Sequence, residues 1–231
     1  MPGRNNTFFA IDFDRCLGDV GALYEQLVDT IIHLGYANVE ELHEVRSQVE
    51  ASGGSFDAIA YLRETAGEEA VNSVIAAYLH ATVDMARFLL PGARELLDWL
   101  AAEKIPHGIM TYGGEEWQRA KIRRAGCGNV STLVTRRPQK GEIIASWYDH
   151  QRGVYQVPEE YNAPGAIASI VLVDDKATAF NGLEGAVGSR GYWVRPSGAQ
   201  LLASQSGDVP TNVRIVQSLH NIVNYEQNIL T

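Results

Sequence analysis

Two aspartates, Asp12 and Asp14, follow directly on the apolar run Phe8-Phe9-Ala10-Ile11. Such a run reads as a buried strand, and the charges after it belong at the strand's mouth. Residues two apart in an extended strand point the same way, so both carboxylates reach one reaction centre if the extended geometry persists beyond Ile11. One can attack phosphorus as a nucleophile to form an aspartyl-phosphate, while the other moves the proton of the leaving group and then of the attacking water. Two carboxylates this close repel each other, so a divalent cation is expected between them and the substrate. The competing reading of Asp-x-Asp is a turn whose side chains bond their own backbone.

Three further polar stretches bear on that choice. Thr111, ahead of Tyr112-Gly113-Gly114 at a helix start, can hold a phosphoryl oxygen with its hydroxyl and the neighbouring backbone N–H groups of Tyr112 and Gly113, or can simply cap the helix. Lys140, in Arg136-Arg137-Pro138-Gln139-Lys140, can neutralise the nucleophile's carboxylate and the phosphoryl charge, or can be a solvated loop residue. Asp174 and Asp175, after Ile170-Val171-Leu172-Val173, can ligate Mg2+ through hard carboxylate oxygens, or can cap a helix at Lys176.

The elements that must position these residues alternate between strand and helix. Beyond Leu17 the period becomes helical, with Val20, Leu23, Leu27, Ile31 and Leu34 on one stripe and Gly35 as its stop. Asn38 to Ala51, Ser55 to Ala66 and Glu68 to Leu89 continue in helix-forming composition, with Ser52-Gly53-Gly54-Ser55 expected as a mobile loop. No strand signal interrupts 19–89, so this block is expected to be a small helical domain inserted between residues 1–18 and 90–231. Pro91-Gly92 opens a helix over Ala93 to Glu103, and a strand from His107 to Thr111 follows. The next helix starts at Glu115, with acids at its front and Lys121, Arg123 and Arg124 at its back. A strand over Ser131 to Thr135, a helix over Gly141 to His150, strands over Ser169 to Val173 and Gly191 to Val194, and a closing helix over Val213 to Tyr225 complete the reading. This order predicts an α/β fold: a Rossmann-like parallel sheet with helices on both faces, with ligands outside the carboxyl ends of its strands. Asp12 and Asp14, Thr111, Lys140, and Asp174 with Asp175 then fall along one sheet edge.

With 231 residues, 45% of them hydrophobic, the chain can build one sizeable core and a smaller second one. A net charge of −9 opposes general attraction to nucleic acid or to an anionic membrane, so a small anionic substrate needs a local positive site. The two cysteines, Cys16 and Cys127, make no disulfide framework and fit a reducing cytoplasm. The first residues lack the apolar core of a signal peptide, and no apolar run approaches the ~18 residues a membrane span needs.

Taken together and in this order, the four stretches resemble the four motifs of the haloacid dehalogenase-like hydrolase superfamily, over nearly the whole chain. Asp12-Phe13-Asp14-Arg15-Cys16-Leu17 resembles the first motif, Ile109-Met110-Thr111-Tyr112-Gly113 the second, Lys140 the third and Val173-Asp174-Asp175 the fourth. The block after Leu17 resembles the family's helical cap, and Pro91-Gly92-Ala93-Arg94-Glu95-Leu96-Leu97 the return from cap to core. The resemblance implies Mg2+-dependent phosphatase or phosphotransferase chemistry. Asp12 would be the nucleophile, Asp14 the general acid/base, Thr111 and Lys140 the phosphoryl clamp, and Asp12, the Asp14 carbonyl and Asp174 or Asp175 the Mg2+ ligands. Cys16 and Tyr112 depart from the residues usual at their positions, and the Asp174-Asp175 pair lacks another acid four residues on. Members that cleave carbon–halogen bonds generally lack an acid at the position of Asp14, since halide leaves without a proton, so Asp14 favours phosphate esters. A phosphomutase of the same superfamily is the alternative enzyme. A non-catalytic module gripping RNA or a protein through Arg119, Lys121, Arg123, Arg124, Arg136 and Arg137 is the alternative of another class.

Overall fold

The computed structural model describes residues 6–52, 56–82, 84–163, 165–195 and 208–229. Gly53, Gly54 and Ser55 of the expected mobile loop lie outside the described residues. In chain order the strands are β1 (Thr7–Ile11), β2 (His107–Tyr112), β3 (Thr132–Thr135), β4 (Tyr148–Asp149), β5 (Val154–Tyr155), β6 (Ser169–Asp174), β7 (Arg190–Val194) and β8 (Val213–Val216). The helices are α1 (Val20–His33), α2 (Val39–Ala51), α3 (Ala58–His80), α4 (Ala93–Ala102), α5 (Glu115–Arg124), α6 (Lys140–Ser146) and α7 (Leu219–Ile229). By their internal contacts they form two compact units: Met1–Leu17, Leu90–Thr111 and Val130–Thr231, and Gly18–Leu89 with Tyr112–Asn129.

The first unit is built on a six-stranded sheet in the order β3-β2-β1-β6-β7-β8. β1 is buried throughout, as a continuous apolar run requires, and pairs in parallel with β2 on one side and β6 on the other. The chain winds outward from β1 through β2 to β3, then returns to β6 and winds the other way. The winding therefore reverses between β1 and β6, and the crevice of such a sheet opens at the carboxyl ends of those two strands. Registers Ile11↔Val173 and Ile11↔Ile109 end β1 and β6 within one residue of each other, while β2 runs on three residues past Ile109 to Tyr112.

Alternation along the strands divides the core into two layers. Phe8, Ala10, Met110, Ile170 and Leu172 pack with Ile144 of α6, Tyr155, Tyr161, Ile167 and Phe180. On the other face, Phe9 meets Trp99 of α4 edge-on at 6.1 Å, and α4 lies against α7. The α/β architecture with a parallel sheet is thus the observed one.

The second unit is helical. Asp19 caps α1 through Ala22 N, and Tyr78 of α3 reaches Leu23 O of α1. Gly67 interrupts α3 with φ +83°, a conformation that costs a residue with a Cβ far more than glycine. α5 packs on α3, with Trp117 against Tyr78 at 5.8 Å. These contacts group 112–129 with 18–89, whereas the sequence-based division placed 112–129 with the sheet.

Three elements differ from the sequence reading. The helix expected over 141–150 stops at Ser146, and β4 and β5 form a small hairpin after it. Asp149 takes the N–H groups of Gln151 and Arg152, and Gly153 follows at φ +67°, so turn chemistry outweighs the helical composition here. The segment expected to begin a helix at Val213 is strand β8, whose Val-Arg-Ile-Val run suits an edge strand, and α7 starts only at Leu219. The helical stretch expected to reach Leu89 ends at His80, with a separate 3-10 turn over Met85–Phe88.

Candidate active site

Asp12 leaves β1 where its own N–H still bonds Val173 O of β6, at 2.8 Å. The chain then turns: Phe13 O accepts from Cys16 N and Leu17 N, and Arg15 takes φ +60°. The extended geometry expected to carry Asp12 and Asp14 side by side therefore ends at Asp12. Asp14 lies half-buried in the turn, close enough for its charge to act on Asp12.

Asp174 ends β6, level with Asp12 by the register of the two strands, and Asp175 follows. Ligand oxygens of Asp12, Asp174 and Asp175 all lie within 4.8 Å of one another, and all three residues are buried. Into this group α6 inserts Lys140, whose Nζ donates to Asp12 Oδ1 at 2.5 Å and to Asp174 Oδ2 at 2.6 Å. Asp174 Oδ1 accepts from Lys176 N, which orients that carboxylate, and the main-chain O of Asp175 accepts from Trp193 Nε1, which fixes the backbone there. Lys140 is only 3% exposed, which rules out the solvated-loop reading.

A cation in the first turn of a helix opposes the helix dipole. Lys140 occupies that position in α6 because the carboxylates opposite outweigh the dipole. The next residue explains the approach. A Cβ on Gly141 would stand 2.5 Å from Asn181 O, 2.8 Å from Leu183 N and 2.9 Å from Phe180 O. Glycine thus lets α6 rest on the backbone that follows Asp174-Asp175. Sequence reasoning passed over Gly141, and nothing in its neighbours signals the role.

The electrostatics are strained toward positive charge. Burial, opposed by Lys140 and reinforced by Asp174, Asp175 and Asp14, pushes the Asp12 carboxyl up to about 8. Burial works to strip Lys140 of its proton, but Asp12 and Asp174 more than offset it and hold the ammonium above its usual range. Burial, with the same carboxylates behind it, drives the Cys16 thiol well above its ordinary value. Three buried carboxylates facing one ammonium fit a hard divalent cation such as Mg2+, which takes oxygen ligands. Asp14's carboxylate is outside that group of three.

Thr111 is buried near the end of β2, two residues past the Ile109 that pairs with Ile11, and its carbonyl accepts from Thr135 Oγ1 at 3.2 Å. Tyr112 and Gly113 open the segment that groups with the helical unit, where Gln118 Nε2 donates to Tyr112 O at 3.0 Å. The structure therefore brings Asp12, Lys140, Asp174 and Asp175 into direct contact or near contact. Of the basic residues of the alternative reading, Lys121 and Arg124 are buried, Arg119 pairs with Glu115 and Arg137 with Glu142.

No family model matches the sequence, and no curated protein matches it. Solved structures do match. A protein of Burkholderia xenovorans LB400 named as a haloacid dehalogenase-like hydrolase is 22% identical, with 94% of this chain and 97% of that one covered and a TM-score of 0.63. The magnesium-bound HAD-hydrolase YfnB of Bacillus subtilis is 15% identical, with 98% of each chain covered and a TM-score of 0.54. A protein of Thermotoga maritima named as a β-phosphoglucomutase is 16% identical, with 97% and 100% covered and a TM-score of 0.52. The strand order, the buried acids at the ends of β1 and β6 and these likenesses agree: this chain has the fold of the haloacid dehalogenase-like hydrolase superfamily.

Proposed function

We propose that the protein is a Mg2+-dependent phosphatase that hydrolyses a small phosphorylated metabolite through an aspartyl-phosphate on Asp12. The observation that carries this reading is the buried contact of Lys140 with Asp12 and Asp174, beside Asp175 and at the switch point of the sheet. A structural salt bridge needs one acid; a lysine on two acids, with a third carboxylate within 4.8 Å of both and a fourth in the adjoining turn, suits a group that binds anions and cations together.

Asp12 attacks phosphorus while Lys140 offsets the charge of the attacking carboxylate and of the phosphoryl oxygens. Asp14 gives a proton to the departing alkoxide and then takes one from the water that cleaves the acyl-phosphate. Thr111 and the backbone N–H groups of Tyr112 and Gly113, next in the chain, hold phosphoryl oxygens. Asp12, Asp174, Asp175 and the Asp14 carbonyl would hold Mg2+, which supplies positive charge that keeps Asp12 ionised and draws charge from the phosphoryl oxygens. The Bacillus subtilis neighbour is a magnesium-bound protein, which supports that choice of ion. The segment 19–89 serves as the cap that selects the substrate. No helix among the described residues is long and apolar enough to cross a membrane. The proposed location is the cytoplasm, whose reducing conditions suit the free cysteines Cys16 and Cys127.

The test is orthophosphate release from a panel of phosphorylated metabolites with Mg2+ present. Hydrolysis of at least one, abolished by Asp12→Asn, is expected. Transfer of the phosphoryl group from trapped enzyme to a sugar phosphate, with water excluded as acceptor, would make the protein a phosphomutase instead.

A further inference from the structure

We propose that Asp57 is a positioning residue for the turn Tyr112–Gly114, fixing from the helical unit the backbone that follows Thr111. The inference rests on the phosphoryl-binding role given to that turn above. Asp57 Oδ1 accepts from Ile59 N at 3.1 Å and from Ala60 N at 3.0 Å, which anchors its carboxylate at the start of α3. The other oxygen, Oδ2, lies against Gly114: a Cβ on Gly114 would coincide with it. Gly114 is the N-cap residue of α5 and supplies no side-chain cap of its own. One carboxylate thus stands at the starts of two helices, where negative charge is favoured at both.

Helix capping alone requires only Oδ1. What capping does not explain is that a second side chain, Gln118, also holds the turn. A Cβ on Gly113 would stand 2.7 Å from Gln118 Nε2, the same nitrogen that donates to Tyr112 O. A second tie joins the same two helices, where Arg63 of α3 pairs with Glu116 of α5 at 2.5 Å. The two consecutive glycines therefore each accommodate an anchored polar side chain, and the backbone of 112–114 has little freedom to shift. A turn held this way presents its N–H groups without reorganising when an anion arrives, which lowers the cost of binding and reaction.

The experiment is a double-mutant cycle on the full chain, Gly114→Ala against Asp57→Ala, with Asp57→Asn as the conservative variant. Two readouts are taken: inhibition of aryl phosphate hydrolysis by inorganic phosphate, and hydrogen exchange of the peptide spanning 112–118. Gly114→Ala alone is expected to weaken phosphate inhibition tenfold or more and to speed exchange. In the Asp57→Ala background, where space has been made, the same change is expected to cost less than threefold. Asp57→Asn keeps both the cap and the contact and is expected to stay within threefold of the parent in both readouts. Additive effects of the two substitutions in both readouts, with folding intact by circular dichroism, would overturn the proposal. So would a phosphate inhibition constant that Gly114→Ala leaves unchanged. If the parent protein hydrolyses no phosphate ester, the phosphatase reading fails, and the exchange cycle alone then decides the hold of Asp57: coupling supports it and additivity overturns it.

Discussion

Lys140 Nζ stands 2.5 Å from Asp12 Oδ1 across 128 residues of sequence, and both side chains are all but sealed from solvent. The same Nζ stands 2.6 Å from buried Asp174, so removing the lysine leaves the Asp174 charge, and any charge on Asp12, desolvated without a partner, which is costly. Lys140→Ala is therefore expected to destabilise the metal-free protein by about 3–5 kcal/mol. Thermal denaturation checks this. A change in melting temperature no larger than that of an exposed lysine variant would contradict the buried pairing.

Metal removal should show a pH signature. Without a cation, folded Asp12 keeps its proton up to about pH 8, whereas the unfolded chain releases it near 3.9, the usual value of about that size for aspartate. Between those values the folded state holds the extra proton, so the stability of the metal-free protein falls as pH rises from about 4 to about 8. Mg2+ binds the ionised form, so its stabilising effect should grow over the same interval, reaching about 2.7 kcal/mol at a concentration of a hundred times Kd. Melting curves at pH 5 and pH 8, with Mg2+ and with EDTA, measure it. Equal stabilisation at both pH values, or full activity in EDTA, would count against the site.

The two aspartates of the first motif should separate by substrate. Asp12→Asn removes the nucleophile, and no phosphoenzyme forms with any substrate. Asp14→Asn removes the proton shuttle, costing ~100- to 10,000-fold with an alkoxide leaving group. With an activated aryl phosphate the Asp14 variant should still become phosphorylated and accumulate the intermediate. Peptide mapping is expected to find the phosphoryl group on the Asp12 segment; label on Asp14, a serine or Cys16 would reassign the roles.

Gly141 offers a test of positioning. Its contacts are with backbone atoms of 180–183, which cannot swing aside as a side-chain end can. Gly141→Ala should push α6 away and draw Lys140 from Asp12, with an overpacking cost of about 1–3 kcal/mol. Steady-state kinetics with an aryl phosphate should show kcat falling more than KM rises, since Lys140 acts on charge that develops in the transition state. An unchanged kcat would mean that α6 tolerates the shift.

Much of this arrangement is legible in the chain itself. The apolar runs of β1 and β6, the helical stripe of α1 and the acids after Ile11 and Val173 are local patterns, and burial of a strand on both faces leaves an unmistakable composition. Those patterns sufficed to predict the parallel sheet, and with Thr111 and Lys140 in order they put the candidate residues along one edge of it. They also misjudged 141–150 and 213–225, where strand and helix compositions overlap and turn residues decide the outcome. Which groups touch was settled only in three dimensions. That Lys140 meets Asp174 as well as Asp12, that Asp14 lies in a turn outside the three-acid group, and that Gly141 and Gly114 are glycines because other groups occupy the space of their side chains depend on packing between distant segments. Local periodicity says which face of an element is buried; only the register of the sheet and the close approach of backbones determine what that face meets.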